Sequence, residues 1–276
     1  MPTATLNGTP YAYVDEGGAP GHPLVVFGHG LLAGREMFRA QIDALRDRYR
    51  CVSLDWPGHG DSGFPPGGWT MWDMGRDAAA LVEHLGEARA IFAGLSQGGM
   101  AFMRLALERP GMVRALVLMD TSPAPESPDV LPVVEEMAAD IRHGDEATRS
   151  ARIDTVQTTM FSAAWRARER EALAREKAYL LAYDRRGQYL AARAVFDRDD
   201  VTDRLGEIAA PTLVLCGTED VATPPEHSRT LAERIPGAEL VWIEGAGHHS
   251  PMEQPEAVTR ALANFLARVA PAGAGA

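Results

Sequence analysis

The sequence predicts an α/β fold built on a mainly parallel sheet, and three observations predict it. Short β-rich apolar runs alternate with longer helix-like segments over most of the chain. The runs are continuous rather than alternating, as in strands covered by helices on both faces. A glycine-flanked serine stands where one such run hands over to a helix, in AIFAGLSQGGMAF (90–102).

The chain begins with ATLNGTPYAYVDEG, where Asn7-Gly8 separates two short runs that can pair, a two-residue hairpin signal. The later runs are LVVFG (24–28), CVSLD (51–55), AIFAG (90–94), ALVLMD (115–120), TLVLCG (212–217) and ELVWIE (239–244). Between them lie helical segments near 37–47, 73–86, 97–108, 226–235 and 254–268. Alternation of this kind implies parallel strands joined by right-handed crossovers. The rhythm breaks from about Ser122 to Leu205, where no strand is evident. That interval opens on a proline-rich link, TSPAPESPDVLP, and shows helical periodicity through EEMAADI, TVQTTMF and REALAREKAYLLAY. It reads as a helical insertion between two strands. The expected organisation is a core over 1–121, an insertion over 122–205, and the rest of the core over 206–276.

A chain of 276 residues can bury a substantial core. Its 38 acidic against 27 basic residues, a formal net charge of -11, argue against nucleic acid or anionic membranes as partners. The two cysteines, Cys51 and Cys216, each sit inside an apolar run, so buried thiols are expected rather than a disulfide framework. MPTATLNGTPYAYVDEGG lacks the basic-then-apolar pattern of a signal peptide, and no apolar run approaches the roughly 18 residues of a membrane span. A cytoplasmic location is the expectation.

Gly94-Leu95-Ser96-Gln97-Gly98 fits G-x-S-x-G, a tight strand-to-helix turn whose crowding demands small neighbours and pushes the serine hydroxyl outward. A serine hydroxyl needs a base. EGAGHHSPMEQPE supplies His248, with His249 as competitor, after the last strand. The base needs a carboxylate to orient its ring. Asp220, in CGTEDVATPP, is favoured over its neighbour Glu219 and over Asp120, which ends ALVLMD. Acyl transfer also needs donors for an oxyanion, and the backbone N–H groups of Leu31, after Gly28-His29-Gly30, and of Gln97 are placed to provide them. His29 is expected to steer that loop rather than act as a base. His22, His59, His84, His143 and His227 show no metal-ligand spacing, so neither a catalytic metal nor another cofactor is expected.

With FGHGLL, SLDWPGHGDS, GLSQGG, LVLMD, GTEDVATPP and GAGHHSPMEQPE in this order over 27–256, the chain resembles the α/β-hydrolase superfamily, in the branch of small bacterial esterases and enol-lactonases. The resemblance implies a mostly parallel eight-stranded sheet flanked by helices. It also implies a structural loop over Asp55 to Ser62 and a helical cap at the insertion. The implied activity is hydrolysis of a small-molecule carboxylic ester or lactone through an acyl-enzyme on Ser96, with Asp220 and His248 completing a triad. Carbon–carbon bond hydrolysis, perhydrolysis and a slow-turnover signalling homologue are alternatives within the same fold. Dehalogenases and epoxide hydrolases of the fold carry an aspartate where Ser96 stands, which disfavours them. HGLLAG lacks the richer glycine run typical of the carbon–carbon hydrolases.

Overall fold

The computed structural model describes residues 1–19 and 21–271. Asn7 and Gly8 turn the chain between β1 (Thr3–Leu6) and β2 (Thr9–Glu16), with φ of 45° and 89°, the left-handed pair that a type I′ hairpin requires. The apolar runs form β3 (Leu24–Gly28), β4 (Arg50–Leu54), β5 (Ala90–Leu95), β6 (Val113–Met119), β7 (Thr212–Gly217) and β8 (Glu239–Ile243). The helices are α1 (Arg39–Leu45), α2 (Met71–His84) and α3 (Gln97–Glu108) before the insertion. Within it lie α4 (Leu131–His143), α5 (Glu146–Met160), α6 (Ala163–Arg168), α7 (Arg170–Ala182) and α8 (Arg185–Phe196). After it come α9 (Pro225–Arg234), α10 (Ser250–Glu253) and α11 (Pro255–Val269).

The strands form one eight-stranded sheet in the order β1-β2-β4-β3-β5-β6-β7-β8. β2 runs antiparallel to β4, and from β4 to β8 every pairing is parallel. Successive side chains of a strand point to opposite faces. Val26, Val52, Phe92, Leu116 and Val214 therefore meet α2, α3 and α9 on one face. Val25, Phe27, Ile91, Val117 and Leu215 meet α1 and α11 on the other. Each such side chain, fully buried, contributes about 1.5–3 kcal/mol. Coverage on both faces explains the continuous runs. The edge strand β8 differs, with Glu239 and Trp242 exposed, because it has a strand neighbour on one side alone. Cys51 and Cys216 are free and buried. Among the described residues no helix is long and apolar enough to cross a membrane.

The insertion is held together by local rules. Asp145, Ser162 and Asp184 cap α5, α6 and α8, each accepting from a backbone N–H three residues on. The buried Arg149 donates to the carbonyls of Leu180, Leu181 and Tyr183, satisfying the end of α7 that would otherwise be left unpaired. Its helices then dock on the loops of the core. Tyr183 Oη donates to Ala33 O at 3.1 Å, His249 N donates to Met160 O at 3.0 Å, and Ser162 N donates to a Glu253 carboxylate oxygen at 3.0 Å.

Beyond β4, Asp55 is fully buried and organises the loop to Ser62. Its carboxylate accepts from Arg35 N at 2.8 Å and Asp61 N at 3.1 Å and pairs with the buried Arg35 guanidinium. Asp55→Ala would leave two backbone donors without a partner and reduce the buried Arg35 guanidinium to its pairing with the exposed Asp61 carboxylate. It is expected to destabilise the fold by about 3 kcal/mol or more, read as a fall in the urea midpoint. A loss within about 0.5 kcal/mol, the range of ordinary surface substitutions, would refute that role.

Candidate active site

Ser96 lies between β5 and α3, at the carboxyl end of a central strand. Its φ of 51° and ψ of -116° are strained for any residue with a side chain. The neighbours explain how the bend is reached. A Cβ on Gly94 would lie 2.4 Å from the Gly98 carbonyl carbon, and one on Gly98 would lie 2.1 Å from Gly28 O. The bend is pinned through the main chain. Ser96 N donates to Met119 O at 2.9 Å, and Ser96 O accepts from Met100 N at 2.9 Å and Thr121 Oγ1 at 2.7 Å.

His248 and Asp220 arrive from loops after β8 and β7, and the structure brings them together. His248 Nδ1 stands 3.0 Å from both Asp220 carboxylate oxygens. Asp220 also accepts from Ala222 N, Thr223 N and Thr223 Oγ1 at 2.8–3.0 Å. Burial opposes charge on Asp220, but the imidazole and the Thr223 donors outweigh it and hold the carboxyl below its ordinary range. Burial likewise opposes charge on His248, and the Asp220 carboxylate overcomes it, keeping the imidazole above its usual value. Among the described residues no hydrogen bond links Ser96 Oγ to the His248 ring. Such contacts often tighten only when substrate is bound.

The rivals have other partners. Glu219 is exposed. Asp120 takes Gly217 N at 2.7 Å and the Ser250 hydroxyl, and burial together with the nearby Asp220 charge raises its carboxyl well above the usual range. His249 packs edge-on to Phe161, with its ring 5.8 Å from that of His248.

The loop after β3 is steered by two histidines. Trp56 N donates to His29 Nε2 at 3.0 Å, which puts the ring proton on Nδ1, 2.7 Å from Gly30 O. Leu32 N donates to His59 Nε2 at 3.1 Å. Burial pushes His29 down to about 4 and His59 down to about 3, so both stay neutral at physiological pH. Leu32 has a positive φ of 57°. With its N–H engaged by His59, the loop is ordered next to Leu31. Gln97 is the first residue of α3, where a backbone N–H has no partner inside the helix.

Asp120, Cys216 and Asp220 place three possible metal ligands within 4.8 Å of one another. They do not suit a metal. Both carboxylates already accept protein donors, and burial pushes the Cys216 thiol up to about 12, far from the thiolate a metal needs. Sequence reasoning missed Thr223, which braces Asp220, His59, which holds the loop, and Ser250, which binds Asp120. Thr223, three residues beyond Asp220 in EDVAT, was the most legible of them.

The sequence model of a family described as the alpha/beta hydrolase fold matches residues 23–255. A Klebsiella pneumoniae protein named "Putative carbamate hydrolase RutD" is 28% identical over 91% of this chain and 94% of its own length. The solved structure of a thermophilic esterase from Thermogutta terrifontis is 31% identical, covers 97% of this chain and 98% of that one, and has a TM-score of 0.86. That of the enol-lactonase from Burkholderia xenovorans LB400 is also 31% identical, covers 96% of this chain and 99% of that one, and has a TM-score of 0.87.

Proposed function

Since the chain belongs to the alpha/beta hydrolase fold family, we propose that it is a cofactor-independent serine hydrolase cleaving a carboxylic ester or lactone through an acyl-enzyme on Ser96. The observation that carries this reading is the strained backbone of Ser96 at the strand–helix junction, held by glycines that tolerate no Cβ. The His248–Asp220 pair and the similarity to an esterase and an enol-lactonase support it.

On this reading the Ser96 hydroxyl passes its proton to His248 Nε2 as Oγ attacks the substrate carbonyl. Asp220 holds Nδ1–H and stabilises the imidazolium that forms. The backbone N–H groups of Leu31 and Gln97 donate to the tetrahedral oxyanion, and the positive end of α3 adds to their effect. His248 returns the proton to the leaving alkoxide, then takes one from the water that attacks the acyl-enzyme and passes it to Ser96 Oγ as the acyl bond breaks. The insertion, docked over both the β3 loop and the His248 loop, serves as the cap that shapes the pocket. A fluorophosphonate probe tests the reading by forming an adduct on Ser96, and folded protein that takes no label would overturn it.

The pH dependence follows from the same pair. Nε2 must be unprotonated to accept the serine proton, so kcat/KM is expected to fall as pH drops through the raised His248 value, above that of an ordinary imidazole. Asp220→Asn removes the charge that raises it and should move the acid limb to lower pH. A pH–rate profile whose acid limb ignores this substitution would remove His248 from the role of base. The relatives named for carbamate hydrolysis favour one second reading, in which the same serine attacks a carbamate carbonyl. Comparing matched carbamate and ester substrates separates the two.

A further inference from the structure

A second polar pair beside His248 goes unused in the proposed mechanism. His249 is 1% exposed, and neither of its ring nitrogens has a hydrogen-bond partner among the described residues. Buried polar atoms of native proteins are rarely left in this state. Glu176 Oε1, on α7 of the insertion, faces His249 Nδ1 at 3.7 Å, too far for a hydrogen bond. The other Glu176 oxygen accepts from Gln157 Nε2 at 2.8 Å. Glu176 also lines a cavity of about 480 Å³ between α7 and the loop after β3, whose other walls include Leu32, Met37, Tyr179 and Met252. An apolar cavity thus carries one incompletely paired carboxyl group, and an unpaired imidazole stands beside it.

We infer that Glu176 and His249 form a specificity-determining pair that binds a hydroxyl group carried by the substrate. The inference rests on the reading of Ser96 as nucleophile, because the His249 ring lies next to that of His248. A hydroxyl fits the pair better than a charged group does. Burial raises the Glu176 carboxyl to about 7, and burial with the neighbouring His248 lowers His249 to about 3. Near neutral pH the carboxyl therefore alternates between acceptor and donor while the imidazole stays uncharged. A hydroxyl can donate to one partner and accept from the other in either state. A substrate carboxylate would meet the ionised Glu176, and an alkyl group would leave Glu176 Oε1 and the His249 ring without a partner. The remaining charged groups at the cavity, Glu36 and Arg175, are solvent-exposed.

The test uses p-nitrophenyl esters of increasing acyl length, each ω-hydroxy ester paired with its alkyl isostere. At the chain length that reaches the pair, the parent protein is expected to prefer the hydroxy ester by about tenfold in kcat/KM, the value of one good hydrogen bond to a charged group. Glu176→Leu should bring the ratio close to one, Glu176→Gln should retain part of it, and His249→Phe should reduce it. A ratio within one protein does not depend on how much of the variant is folded. Equilibrium binding of the same ester pairs to Ser96→Ala protein reads the preference without turnover. Absent Ser96 labelling therefore sinks the hydrolase reading while this ratio still reports on the pair. No preference at any length, a preference for ω-amino or ω-carboxy analogues, or a ratio unchanged in Glu176→Leu overturns the inference.

Discussion

Ser96→Ala is expected to lower kcat/KM for short p-nitrophenyl esters by about 10⁴-fold or more, with the fold intact. The two halves of that expectation have separate causes. The hydroxyl is the proposed nucleophile, and no neighbouring group can replace it. Yet the bonds that fix the bend all use the main chain: Ser96 N to Met119 O, and Ser96 O with Met100 N and Thr121 Oγ1. Alanine keeps every one of them, so circular dichroism and thermal unfolding should match the parent. Ser96→Gly sharpens the test. It is equally inactive, but it removes a Cβ from a backbone at φ 51° and should be more stable than Ser96→Ala by about 1 kcal/mol. Retention of more than a few per cent of activity in either variant would displace Ser96 from the mechanism. Equal stability of the two would mean that the bend stores no strain.

Gly98→Ala is expected to prevent folding. The added methyl would sit 2.1 Å from Gly28 O and 2.6 Å from Gly28 C, both main-chain atoms of a central strand. No side chain can rotate away, so α3 must lift off β3 and β5 or the sheet must deform. Clashes of this kind cost more than about 4 kcal/mol, against a total stability of about 5–15 kcal/mol for a typical domain. The expected observation is loss of soluble protein, or of a cooperative urea transition. A variant that melts like the parent would show that α3 packs less tightly than these distances require.

The features legible in the sequence were those that neighbouring residues impose. The buried strands β3 to β7 read correctly because coverage on both faces makes their runs apolar at every position, and Asn7-Gly8 marked its hairpin through φ alone. The nucleophile candidate could be read because a tight bend needs small residues within two positions of it. Its partners were legible through chain order and through their place after strands. Features made by residues far apart in the chain were not. His59 is engaged by Leu32, 27 residues away, so nothing local to WPGHGDS reveals its task. The helix α8 lies beyond the periodic segments read in the insertion, and near its start the fold needs Gly187, a residue without a side chain. A Cβ on it would lie 2.9 Å from the Gly58 Cα. Glu176 and His249 face each other from the helix α7 and the loop after β8, which no local pattern reports.

The five insertion helices fall between β6 and β7, and this order bears on biosynthesis. A growing polypeptide contains Ser96 well before β7 and β8 exist, because the whole insertion must be translated in between. On the proposed roles, a nascent chain carries its nucleophile through the whole insertion without the acid or the base. The serine stays latent until the last two strands pair at the sheet edge, and reactivity then appears only in a molecule whose sheet is finished.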